Sequence, residues 1–484
     1  MFPARGAAVL LTLTAAVLVS SCGDSTVGTT ASQVVVRLQV SPDSATVLKG
    51  ARVPLTATLT DAAGDTLSGP AVNWSSSDAA IATVNSSGVV TVVTGIAVGS
   101  AAIVAVSEGQ ADTADVTVMV ITLASLTVGS AYTCGVTTSG SVYCWGWNSF
   151  GQLGDGSTTR KITPVPVSDG LAFSSVSAGL LHTCGVTTGG AAYCWGWNEF
   201  GQLGTETSES CVFNTVPHRC STRPIAVSGG LTFASVSAGV RHTCGVTTTG
   251  AAYCWGSGEA GRLGNGSTLS SSTPVPISGA LTFASVSVGG ETSHSCGLTA
   301  DGDAYCWGGN PHGELGNGTR TSSTVPVPVS GGLRFGSLSA GGRQTCGVTT
   351  DGIAYCWGWN IFGALGTGET ADSDTPAPVA GGLTFASLSA GSVHGCGVTT
   401  DGAAYCWGWN EDGSLGDGST INRTAPVAVS GGLTFASVSL GAVAGHTCGI
   451  TTTGAYCWGS NGDGQLGDGT SATRKVPTRI LGQP

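Results

Sequence analysis

The chain has 484 residues and a net charge of −11, from 28 acidic and 17 basic residues, with only three lysines, Lys49, Lys161 and Lys475. That balance leaves no basic stripe and argues against a nucleic-acid partner. Glycine occurs 78 times and charged side chains make up 9% of the chain, a composition that suits short strands and tight turns rather than helices.

The N-terminal segment MFPARGAAVLLTLTAAVLVSSC carries one early positive charge, Arg5, then an apolar run to Val19 and small residues. It reads as a secretory signal over residues 1–21, too short and wrongly flanked for a membrane span. Val19-Ser20-Ser21-Cys22 resembles a bacterial lipobox, which implies cleavage before Cys22 and lipid on that cysteine. The alternative is ordinary secretion with a spare cysteine. Gly23 follows Cys22, where an inner-membrane retention signal would have aspartate, so the expected location is the outer membrane or cell surface. Residues 22–33 are small and polar and read as a flexible tether.

Residues 34–120 alternate with period two between turn residues: VVVRLQVSP (34–42), ARVPLTATLTD (51–61), AVNWSSSD (71–78), IATVNSSGVVTVV (81–93) and SAAIVAVS (100–107). That pattern predicts a β-sandwich. Val-Asn-Trp74 with Ser-Ser-Ser-Asp, then Ile81-Ala-Thr-Val, Ser87-Gly88-Val-Val, Gly95 and Gly99, resembles the bacterial Ig-like group 2 domain. Trp74 is expected in its core. The resemblance implies a spacer or adhesive stalk.

From residue 121 onward one phrase recurs seven times: Cys, then Cys-Trp-Gly some ten residues later. A period near fifty residues marks a repeat architecture. Each unit offers four strand-like blocks, typified by LTFASVSAG, HTCGVTT, AAYCWG and PVPVSGG. Four strands in seven units predict a seven-bladed β-propeller over 121–484, so the expected chain is all-β, a propeller preceded by an Ig-like β-sandwich. The prolines mark the fourth strand as an edge strand. The chain enters on a first strand and ends on a fourth, Val476–Leu481; the reading is that this last strand completes the first blade and closes the ring.

Of 17 cysteines, sixteen pair locally. Placing Thr350-Asp351-Gly352 as a three-residue hairpin loop sets Cys346 opposite Cys356, close enough for a disulfide. The same logic gives Cys134–Cys144, Cys184–Cys194, Cys244–Cys254, Cys296–Cys306, Cys396–Cys406 and Cys448–Cys457, with Cys211–Cys220 in a loop that one repeat alone carries. The C-x2–4-C spacing of zinc cysteines is absent, so metal binding is not expected. Disulfides on this scale imply an oxidising compartment.

Gly-x-x-His before the second strand, Gly-x-x-Tyr-Cys-Trp-Gly, and seven Gly-x-Leu-Gly turns (151–154, 201–204, 261–264, 313–316, 363–366, 413–416 and 464–467) resemble the regulator of chromosome condensation family. The added cysteines look like a secreted bacterial version. The resemblance implies the propeller and raises guanine-nucleotide exchange as an activity. An exchange factor needs a cytosolic GTPase, which conflicts with the signal and the disulfides.

Identical positions read as scaffold and variable ones as surface. His182, His242, His294, His394 and His446 share one place in the repeat, with Tyr132 and Gln344 there in the other two units; hydrogen-bonded structural histidines are expected. The variable stretch follows Cys-Trp-Gly. Trp147, Phe150, Trp197, Phe200, Trp359, Phe362 and Trp409 sit there and form a candidate ligand face; packing of each second tryptophan between blades is the competing reading. The insertion at 207–222 is expected to be a tied loop presenting Phe213, His218 and Arg219, as a contact point or as a passive excursion. No nucleophile–base set, phosphate loop or His-Glu-x-x-His is present, so neither an enzyme nor a cofactor is expected. The reading is a monomeric cell-surface lipoprotein, held to the membrane by lipid alone, that captures a protein or polysaccharide. Exchange-factor activity and inhibition of a secreted enzyme such as a β-lactamase are the alternatives.

Overall fold

The computed structural model describes residues 34–290, 294–441 and 445–484, and among these there is no α-helix. The expected signal at 1–21, Cys22 and the tether at 22–33 lie outside the described residues.

Residues 37–119 form two four-stranded sheets packed face to face. Arg37–Ser41, Arg52–Thr60, Val90–Gly95 and Ala82–Ser87 make one; Ser44–Leu48, Gln110–Met119, Gly99–Ser107 and Asn73–Ser76 make the other. Arg52–Thr60 shows why: Leu55, Ala57 and Leu59 point inward and Thr56 and Thr58 outward, the period-two pattern of a half-buried strand. Trp74 is buried in this core and its indole N–H donates to the Gly88 carbonyl at 3.2 Å. Ser44–Leu48 and Gln110–Met119 were not evident from sequence patterning.

Seven further sheets follow, each with its four repeated strands in chain order. The first holds Leu123–Val128, Tyr132–Thr137, Val142–Gly146 and Lys161–Pro166; the last holds Phe435–Leu440, His446–Thr451, Gly454–Gly459 and Arg474–Arg479. The innermost strands neighbour one another in a closed ring around the axis. A hydroxyl from one innermost strand accepts from the next blade's backbone, as in Ala178 N–H to Thr127 Oγ1 at 2.9 Å and Ala238 N–H to Ser177 Oγ at 3.0 Å. Blade two alone has a fifth strand, Ser210–Phe213, outside Val216–Ala226.

The expected strand exchange does not occur. Arg474–Arg479 pairs with Gly454–Gly459 of its own blade, and the first blade has its own outer strand. Blades meet through sheet faces, so the seam between last and first leaves no strand edge to cover. It closes with the contacts used elsewhere in the ring. Trp145 Nε1–H and the Thr133 hydroxyl both donate to the Gln465 carbonyl, at 2.9 and 2.8 Å.

The hairpin register is as expected: Cys346 lies opposite Cys356 and Val348 opposite Ala354, with Gly352 at φ +86°. All eight expected pairs are disulfides. The C-terminal tail joins the two domains: Gly482 N–H donates to Lys49 O at 3.0 Å, and Ile121 N–H to Gly482 O at 2.7 Å. Leu48, Ile121, Leu123 and Ile480 share one buried cluster there.

Candidate binding face

The repeated residues are consumed by the scaffold. Each Cys-Trp-Gly tryptophan is fully buried and donates to a carbonyl in the preceding blade, as Trp195 does to Gln152 and Trp458 to Ser414, both at 2.9 Å. The Gly-x-Leu-Gly turn is glycine for the same reason. At Gly154, φ is +69°, and a Cβ would lie 2.7 Å from Nε1 of Trp195. Turn and tryptophan thus interlock across every blade boundary.

The histidines belong to this girdle. His182 Nε2 bonds Thr243 Oγ1 at 2.9 Å, His242 bonds Ser295 at 2.8 Å, and His446 closes the circle on Thr133 at 2.9 Å. Blade six has Gly395 where others have the hydroxyl, and there Gln344 reaches past it to the His394 carbonyl at 3.1 Å. Tyr132 donates to the His182 carbonyl at 2.7 Å. Burial pushes His182 and His446 down to about 3 and His294 and His394 to about 4, and holds His242 well below its ordinary value. These rings are neutral at any physiological pH. Their role is structural, as the sequence implied.

The loops joining first to second strands and third to fourth strands share one face, since Trp197 N–H bonds Leu181 O and Trp359 N–H bonds Arg343 O, both at 2.9 Å. A recurrent asparagine fixes the longer loops. Asn148 Oδ1 accepts from Leu153 N–H at 2.9 Å while its amide donates to Ser157 O and Thr159 O. Asn198, Asn310, Asn360, Asn410 and Asn461 make the same bond to their own leucines. Sequence reasoning passed over this residue, although its recurrence in six of seven units was the signal.

On this frame the candidate aromatics fall into three groups. Trp147, Phe150, Trp197 and Phe200 form one continuous row: ring centres are 5.7 Å apart for Trp147 and Phe150, 6.1 Å for Phe150 and Trp197, and 5.3 Å for Trp197 and Phe200. Trp359 and Phe362 pair at 5.7 Å, with His312 6.1 Å from the indole. Trp409 stands in neither row. Two arginines that sequence reasoning missed cover rings of the first two groups: Arg241 lies 5.1 Å above Phe200, and Arg343 4.8 Å above Trp359.

The insertion departs from expectation. It is a β-hairpin, Ser210–Phe213 against Val216 onward, turning through Asn214 and Thr215, both at positive φ, the two-residue turn that suits strand twist. Phe213 and His218 are only half exposed. They fold back onto blade one, with ring centres 5.4 and 5.3 Å from Phe150. Phe150 is therefore only 4% exposed and is not an open contact. Val212, Val216 and Arg219 are among the residues it exposes, with Arg219 3.6 Å from Glu206. The question of core or surface for the second tryptophans resolves to both: Trp147, Trp197, Trp359 and Trp409 are each half-buried.

The regulator of chromosome condensation (RCC1) repeat matches residues 139–186, 189–246, 249–297, 301–348, 351–398, 401–450 and 454–484. Each complete match starts in one blade's hairpin turn and ends in the second strand of the next, so the sequence repeat straddles two blades. The bacterial Ig-like domain (group 2) matches residues 34–118. The ultraviolet-B receptor UVR8 of Arabidopsis thaliana is 32% identical over 147 residues, 30% of this chain and 32% of the receptor, so the match spans about a third of that protein. Among solved structures, Prp20p from Saccharomyces cerevisiae superposes with TM-score 0.61 at 21% identity, over 75% of this chain and 87% of that one. Human WBSCR16 gives 0.59 at 22% identity, over 69% and 90%. These two likenesses are of fold. An Ig-like module of bacterial type together with eight disulfides marks a secreted or surface bacterial protein.

Proposed function

From the premise that the chain belongs to the RCC1 repeat family, we propose that it is a lipid-anchored bacterial surface protein whose propeller captures a protein ligand on its loop face. In this reading Cys22 carries the lipid, the Ig-like sandwich acts as a spacer, and no chemistry is performed on the ligand. The observation that carries it is the division of residues just described. What the seven units share is spent on building the blades and locking them together, whereas exposed side chains of the loop face differ from blade to blade. That face holds half-buried tryptophans together with exposed Leu269, Ile361 and Ile421, the aromatic and aliphatic mixture of a protein contact.

The test is capture from envelope extract by the full chain, compared with the double variant Ile361→Glu/Ile421→Glu. Both side chains are exposed, so folding is untouched while an apolar contact is lost. The expected result is a defined protein captured by the wild type and at least tenfold less by the variant. Equal capture by both would refute use of this face. Cys22→Ala is expected to move the protein from the membrane fraction to the soluble one. Nucleotide release from the organism's small GTPases tests the exchange reading directly, and stimulation there would replace the present proposal.

A further inference from the structure

The loop face contains a hollow of about 410 Å³ where blades five, six, seven and one meet, lined by Phe362, Trp409, Asp412 and Asp463. Comparing blade six with blade five shows what this hollow lacks. In blade five, Arg343 precedes the second strand, its carbonyl accepts from Trp359 N–H at 2.9 Å, and its guanidinium lies 4.8 Å above the Trp359 ring. In blade six the matching backbone bond, Trp409 N–H to Val393 O, is kept at 3.0 Å, but valine replaces the arginine. Among the described residues, no cation lies above the Trp409 face.

Blade six also changes the facing residue. Three positions after the tryptophan, blade five has Phe362 and blade six has Asp412. Ring and carboxylate converge on one spot: a Cβ on Gly445 would lie 3.4 Å from Asp412 Oδ2 and 3.5 Å from Trp409 Cζ3. Asp412 has no ion pair among the described residues. Among the described residues Asp463, the second carboxylate at the rim, pairs with Arg160 alone, at 3.9 Å, and both side chains are more than 40% exposed. Pairs of that kind are weak and easily displaced.

Resting on the reading that the loop face binds a protein, we propose that this hollow receives an arginine side chain of the partner. The guanidinium would lie over the Trp409 ring, as Arg343 lies over Trp359, and donate to the Asp412 carboxylate. A planar guanidinium suits both contacts, because it stacks on an aromatic face and meets a carboxylate with paired donors. The position emptied at Val393 is thus filled in trans.

The test requires no partner. The full chain, labelled at tryptophan indole nitrogen, is titrated with N-acetyl-arginine amide and with its neutral isostere N-acetyl-citrulline amide. The Trp409 indole resonance is assigned by its loss in Trp409→Phe. Saturable binding of the arginine probe is expected in the millimolar range, with the citrulline probe at least fivefold weaker. Asp412→Asn should weaken the arginine probe at least fivefold. Val393→Arg should abolish its binding by placing an internal guanidinium over the ring. Equal response to both probes, or an unchanged arginine affinity in Asp412→Asn or Val393→Arg, would overturn the proposal. That failure would leave capture by the apolar rim standing, because Ile361 and Ile421 are tested separately.

Discussion

The histidine girdle predicts a specific acid sensitivity. Five buried imidazoles are neutral in the folded state, and their pKa values lie below the ordinary 6.5 because burial penalises the charged form. Below pH 6.5 the unfolded chain takes up protons that the folded chain refuses, so stability is complete above that pH and falls as the pH drops toward the folded values. At pH 5, with folded values near 3 to 4 for His182, His294, His394 and His446, each contributes a loss of about 2 kcal/mol. The four together approach about 8 kcal/mol, comparable with the whole stability of many domains, and His242 acts with the same sign. Two carboxylates lie outside this window. Asp351 and Asp401 are held below their usual range by the Thr349 and Thr399 hydroxyls, so they lose their contribution only under more acidic conditions. Scanning calorimetry between pH 8 and 4.5, with disulfides intact, should show Tm level above pH 7 and falling by on the order of 10 °C by pH 5. His182→Gln, which borrows the side chain already used at position 344, should flatten the pH dependence of stability at pH 5 by about 1 kcal/mol per pH unit. A level Tm from pH 7.5 to 4.5 would show that the girdle admits protons or water and would refute the argument.

Phe150→Ala should release the hairpin, since that ring touches Trp147, Trp197, Phe213 and His218. Trypsin cleavage after Arg219 should accelerate at least tenfold at temperatures well below Tm, and an unchanged rate would mean that the strand pairing alone holds the hairpin. Trp195→Phe removes the indole donor to Gln152 O and leaves space against Gly154, and should cost about 2–4 kcal/mol in urea unfolding. All sixteen paired cysteines are at most 2% exposed, so mild reductant should release thiols only when denaturant is added. Thiols released from the native protein would point to local opening of the blades.

The repeats made the propeller legible because each constraint in the unit is local. The hairpin loop sets the cysteine register, and the alternating residues set each strand's faces. What the sequence hid lies across blade boundaries. Exchange of the last strand was expected from the need to cover strand edges, yet the seam joins faces, and a complete set of Trp145, Thr133 and His446 contacts closes it. Phe150 read as an open ligand contact because its cover, Phe213, is sixty-three positions away in another blade. Arg241 and Arg343 went unnoticed because each sits beside a scaffold position. The available signal was variation: the same place holds Ala131, Leu181, Val393 and Gly445 in other blades.

That variation also bears on how a ring of near-identical units can hold a ligand in one orientation. A face with true sevenfold symmetry would offer seven equivalent registers, and no single pose would be preferred. The chain breaks this equivalence in two places. At blades one and two the hairpin covers the aromatic row with Phe213 and His218 and exposes Val212 and Val216. At blade six the substitution of Val393 for an arginine and Asp412 for a phenylalanine leaves an open acidic hollow. A ligand with one basic side chain and one apolar patch at the matching spacing would satisfy both in one register, and the rotations that bring its cation to blade three or blade five would set it against Arg241 or Arg343. Like charges so placed are repelled. If the proposed face is used, the arginines that complete the aromatic rows would act as exclusion elements, and specificity would come from where the blades differ.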